Sequence, residues 1–138
     1  MSEREKLASE LFKSGKNCSQ SVLGVFCKDY GLEPATALKV AGGFGSGIRS
    51  GEVCGAVTGA VMAIGLAHGD TTSECNSKTK EFIRKFKEAN QSIVCREILR
   101  CDLSKLKGEE RKDATKKTNR RCTELVCNAV RILEEMGY

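Results

Sequence analysis

The residues of this chain with the most chemistry open to them are its eight cysteines: Cys18, Cys27, Cys54, Cys75, Cys95, Cys101, Cys122 and Cys127. As thiolates they can ligate metals or attack disulfides. No two stand as Cys-x-x-Cys, which excludes a thioredoxin-type motif and a zinc ribbon, and no Cys-x-x-Cys-His exists to attach a c-type haem. The one histidine, His68, rules out any cage that needs several imidazoles from one chain. Eight cysteines in 138 residues also fall short of the roughly 8–10% that marks a disulfide-held scaffold. Any thiol site must therefore be assembled by the fold.

Four of the eight have a shared local signature. Cys18 follows Asn17, a helix cap with Gln20 three positions on in capping-box spacing, and Cys54 comes just after a glycine-rich loop. Cys95 and Cys122 follow Ser92 and Asn119 by three positions. If those polar residues are caps, all four thiols sit at helix starts, where free N–H groups and the helix dipole lower a thiol pKa. Cys18, Cys54, Cys95 and Cys122 are thus the candidate metal ligands, four being the number required by tetrahedral zinc or by a [2Fe–2S] or [4Fe–4S] cluster. Two alternatives stay open. Cys54 could attack and Cys18 resolve in a metal-free thiol–disulfide reaction, or the thiols could be passive apolar groups in a helical interaction protein. Cys27, Cys75, Cys101 and Cys127 form a second set. Cys95 with Cys101, or Cys122 with Cys127, could pair only near a helix end, because such spacings diverge on a regular helix.

The elements that must position these residues read as helices. Leu7, Leu11 and Phe12 mark a first helix ending at Gly15; the Asn17-capped second carries Val22 to Tyr30; Pro34 opens a third running to Ala41. A fourth is expected from about Glu52 to His68. Later helices carry Phe82, Ile83 and Phe86, then Ile98 and Leu99, then Leu125 to Met136, with the polar stretch Ser104 to Asn119 as the mobile connection. No strand pattern competes, so the expectation is an all-α bundle of five to seven helices in one domain spanning residues 1–138. Gly51, Gly55 and Gly59 recur every four residues, giving the fourth helix a bare face for close packing, either as the centre of the bundle or as a homodimer surface.

Charge and hydropathy narrow the setting. Residues 76–121 hold fifteen Lys and Arg against seven Asp and Glu, while the rest holds eight against eleven. Only Phe82 and Phe86 interleave the basic region, and their spacing suits a core, which argues against nucleic acid as a partner. Met1 to Lys16 lacks the apolar core of a signal peptide, and the most apolar stretch, the fifteen residues Val53 to Ala67, falls short of the roughly 20 that cross a membrane. A cytoplasmic protein is expected, with no membrane contact and with thiols kept reduced. The loop containing Gly43, Gly45 and Gly47 has the look of a phosphate cradle for a cofactor, although the preceding segment reads as helix where a dinucleotide fold needs a strand. His68, beside Gly69 and Asp70, suits a helix-end cation better than a ligand.

Taken in order, Asn17-Cys18-Ser19-Gln20, Gly42-Gly43-Phe44-Gly45-Ser46-Gly47, Gly51-Glu52-Val53-Cys54-Gly55-Ala56-Val57-Thr58-Gly59-Ala60, Cys95-Arg96-Glu97-Ile98-Leu99 and Cys122-Thr123-Glu124-Leu125-Val126 resemble the redox-active proteins named for spaced C, GCAxxG, C and C elements. The resemblance implies a small helical protein with a thiol-redox or electron-transfer role, served by a redox partner protein and by an iron–sulfur cluster or other thiolate-bound metal. One departure is present: Cys54-Gly55-Ala56 stands where the family name has Gly-Cys-Ala. On a helix that exchange turns the thiol by about 100°.

Overall fold

The computed structural model describes all residues, 1–138, and contains seven α-helices and no named strand. They are α1 (Glu3–Lys13), α2 (Cys18–Leu23), α3 (Pro34–Val40), α4 (Gly55–His68), α5 (Thr72–Asn90), α6 (Cys95–Leu99) and α7 (Gly108–Glu135). Local chemistry explains several of the starts. The Ser2 hydroxyl accepts from the Glu5 N–H at 3.1 Å, and Asn17 and Gln20 complete a reciprocal capping box at 2.8 and 2.9 Å. Pro34 opens α3, where its missing N–H costs nothing.

Packing puts α4 at the centre, in contact with α2, α5 and α7. Phe26, Ile64, Phe82, Phe86, Leu125 and Leu133 are among the fully buried side chains between these elements. The bare face of α4 is used inside the chain. A Cβ added at Gly59 would lie 2.6 Å from the Ser19 carbonyl oxygen, and one at Gly55 would lie 3.0 Å from the Cys18 Cβ. With α2 seated on that face, Gly55 and Gly59 are buried, and the surface expected to serve a homodimer is not exposed.

Three expectations about the elements need correction. The fourth helix begins at Gly55, not near Glu52, because Glu52 to Cys54 is extended and makes a single antiparallel bridge, Val53 to Val94. Gly51 thus lies outside the glycine-faced helix, in a left-handed turn against the Asp102 carboxylate. The second segment splits at Gly24 into α2 and a 3-10 turn, Cys27–Tyr30, closed by Gly31 at φ 86°. The stretch Ser104 to Asn119 is not a loose connection: after a 3-10 turn at Leu103–Lys105, α7 starts at Gly108 and runs 28 residues. No proline or glycine interrupts it, and Glu109 and Glu110 favour its N-terminus. Asn119 is interior to α7 and caps nothing.

Candidate functional site

Four separate pieces of backbone bring Cys18, Cys54, Cys95 and Cys122 to the wall of one cavity of about 170 Å³. Cys18 is the first residue of α2 and Cys54 is the cap residue of α4. Cys95 is the first residue of α6, and Cys122 lies midway along α7. The antiparallel Val53–Val94 bridge puts Cys54 opposite Ile93 and Cys95 opposite Glu52, so that the two cysteines stand diagonally across it: the Cys54 N–H donates to the Ile93 carbonyl at 2.7 Å and the Cys95 N–H to the Glu52 carbonyl at 2.6 Å. Side chains alternate across such a pair, so both thiols leave on the side opposite Val53 and Val94. Gly55 does the equivalent for Cys18, letting α2 approach until only 3.0 Å would separate a Cβ at 55 from the Cys18 Cβ. A residue with a side chain at position 55 would hold α2 off, which explains the order Cys54-Gly55 in this chain.

The rim is built from an unusual turn. Ser46, Gly47, Ile48 and Arg49 all have left-handed φ, between 51° and 63°. For a residue with a Cβ this costs about 1–2 kcal/mol each. Contacts hold the turn: a Cβ at Gly47 would lie 2.9 Å from the Cys95 Cβ, Arg96 bonds the Gly51 carbonyl at 3.0 Å and the Glu52 carboxylate at 2.6 Å, and Arg111 bonds Ser46 Oγ at 3.0 Å and the Leu103 carbonyl. Gly45 and Gly47 therefore line the thiol cavity, whereas Gly43 does not. The segment after them is this left-handed turn, not a regular helix start, so the phosphate-cradle geometry of a dinucleotide fold is not formed.

The electrostatics overturn a uniform lowering of thiol pKa at helix starts. Burial pushes Cys54 up to about 12, outweighing the Ala56 and Val57 N–H groups that favour its thiolate, and pushes Cys95 up to about 11, where the charges of Cys122, Asp102 and Cys101 add to it. Cys18 is raised as well, first by its hydrogen bond to Cys122 and then by burial. Cys122 moves the other way. Its thiolate is favoured by the Cys18 thiol, which donates to it, with Arg121 and the Thr118 hydroxyl adding to the effect. Cys54 is thus a poor attacking nucleophile at neutral pH, contrary to the metal-free scheme expected for it, and the most readily ionised of the four is the one in mid-helix.

All four thiols feel one another's charge. No three Cys, His, Asp or Glu side chains, however, stand close enough together to hold a single metal ion. Of the second set, Cys101 lies near Cys95, while Cys27, Cys75 and Cys127 do not line the cavity. His68 is also elsewhere, at the end of α4, 3.5 Å from the Glu74 carboxylate and edge-on to Tyr138. Sequence reasoning missed Arg111, Thr115, Thr118 and Asn119, which line the cavity with Cys122. Their spacing on one face of α7 was the available signal, obscured by reading that segment as a loop. No helix is long and apolar enough to cross a membrane.

The model of a family described as "Putative redox-active protein (C_GCAxxG_C_C)" matches residues 16–136. No curated protein and no solved structure matches the chain.

Proposed function

The chain belongs to the C_GCAxxG_C_C family of redox-active proteins, and from that premise we propose that it is an electron-transfer protein whose Cys18, Cys54, Cys95 and Cys122 hold an iron–sulfur cluster. The observation that carries this reading is the convergence of four thiols from four separate elements on one cavity. Two thiolates about 2.3 Å from one zinc are held about 4 Å apart by tetrahedral geometry. A cluster would spread the four thiolates over several metal atoms. The donor set also fits in kind, since sulfur from cysteine is the ordinary ligand of such clusters. When bound, the group would supply one-electron transfer.

The remaining features describe what the chain itself does. Gly55 and Gly47 admit α2 and the left-handed turn to the thiols, excluding bulk from the site. Largely buried Cys54 and Cys95 keep two ligands out of water, which favours a defined potential over thiol exchange. A cytoplasmic setting and a protein electron partner follow from this reading, because thiols outside a reducing compartment would cross-link.

A second reading has its own support in the contact between Cys18 and Cys122. Without a metal, these two thiols can give up two protons and two electrons to form one disulfide, with a partner disulfide reduced to two thiols in exchange. Iron and acid-labile sulfide analysis of anaerobically isolated protein separates the two. The cluster reading expects both elements in wild type and in Cys75→Ser, and their loss in serine variants at 18, 54, 95 and 122. Wild type free of iron and sulfide, with Cys18 and Cys122 oxidised together, would leave the dithiol reading instead.

A further inference from the structure

The inward face of α7 is polar where it borders the cavity. Arg111, Thr115, Thr118, Asn119 and Cys122 all line it, at spacings of four, three, one and three residues that place them on one stripe of the helix. One turn further on, the same helix becomes core, with Leu125, Val126, Ala129 and Val130 buried. Polar groups packed against a core would be costly without partners. Here they face an open space, and several have capacity to spare.

Arg111 uses its guanidinium on Ser46 Oγ and the Leu103 carbonyl, leaving most of its five N–H donors free. Arg49 reaches the same cavity from the left-handed turn. Neither is among the arginines paired with a carboxylate, which are Arg4, Arg84, Arg96, Arg120, Arg121 and Arg131. Thr115 and Asn119 enter side-chain hydrogen bonds only through their backbone carbonyls, so the Thr115 hydroxyl and the Asn119 amide are unused.

We propose that the cavity carries a binding subsite for a small oxyanion where Arg111 meets the left-handed turn, held by the Arg111 and Arg49 guanidiniums and oriented by Thr115, one helical turn from Arg111. Guanidinium forks match two oxygens of a planar or tetrahedral anion, and both arginines are without the carboxylate that would otherwise occupy them. The subsite rests on these observations alone.

Isothermal titration of the isolated protein with sodium sulfate, at an ionic strength held constant with chloride, tests the subsite. The expected result is saturable one-to-one binding, at least ten-fold weaker in Arg111→Gln and weakened also in Thr115→Val, which removes a hydroxyl without disturbing the strap from Arg111 to the turn. Lys112→Gln, on the exposed side of α7 beside Glu109, should bind like wild type. An absence of saturable binding in wild type, or equal weakening in Lys112→Gln, overturns the subsite. Iron content measured on the same samples keeps the two proposals apart. Sulfate bound by iron-free protein upholds the subsite and removes the cluster, whereas iron-loaded protein indifferent to sulfate does the reverse.

Discussion

Gly55 lies so close to Cys18 that a methyl group there would come within 3.0 Å of the Cys18 Cβ. This contact joins the two halves of the site, because the residue that admits α2 is next in sequence to Cys54. At Gly59, one turn later, the approach is tighter still, 2.6 Å to the Ser19 carbonyl oxygen. Thiol placement and close helix packing are therefore one structural requirement.

Gly59→Ala should destabilise the protein, because overpacking against a rigid carbonyl costs roughly 1–3 kcal/mol and exceeds the gain of about 1 kcal/mol in helix propensity. Gly65→Ala, in the same helix with nothing within 4 Å of its added Cβ, should keep that gain and raise the melting temperature by a few degrees, on the order of 4 °C. Thermal melts of the pair check this. Two variants that shift alike would show that α2 and α4 are not in close contact.

Much of this arrangement is legible in the sequence, and the failures have physical causes. The all-α class, the capping box before Cys18 and the glycine-faced central helix follow from period and cap chemistry, which are local. Cys18, Cys54 and Cys95 stand out by helix-start position, whereas Cys122, singled out behind an Asn119 cap that does not form, reaches the cavity from mid-helix. What failed was non-local. Nothing near Glu52 announces that it will pair with Cys95, so the start of α4 was placed too early. Ser104 to Asn119 looks like a polar loop because its inward face meets a cavity, and a helix that faces a cavity has no apolar stripe to betray it. The thiol pKa values failed for a related reason: helix-start position is visible in sequence, whereas the burial that outweighs it at Cys54 and Cys95 is not.

In metal-free, reduced protein, Cys122 should be the first of the four to be alkylated as the pH is raised. Its thiolate is favoured by the Cys18 thiol and Arg121, whereas Cys54 and Cys95 are held at about 12 and about 11. Mass spectrometry after brief iodoacetamide treatment gives the order. Cys18→Ala should slow the modification of Cys122, since it removes the donor to the thiolate; Cys54 modified ahead of Cys122 would contradict the assignment.

Stability of the same metal-free protein should decline at alkaline pH. For Cys54 and Cys95 the folded pKa lies above the unfolded value, here 9.0, so the neutral thiol is the form favoured by folding. Their contribution is complete below about pH 9 and is lost as pH rises towards 11 for Cys95 and 12 for Cys54. Urea unfolding at pH 8 and at pH 10 should show a larger drop for wild type than for Cys54→Ala. Equal drops would mean that the Cys54 thiol is not shielded from water.

The central claim is that Cys18, Cys54, Cys95 and Cys122 together hold one redox group, and electron paramagnetic resonance of anaerobically isolated protein, before and after dithionite reduction, tests it most directly. The account predicts a cluster signal that appears or disappears on reduction, persists in Cys27→Ser, Cys75→Ser and Cys127→Ser, and is lost or altered in each of the four site variants. A protein silent in both states, carrying no iron, would contradict it.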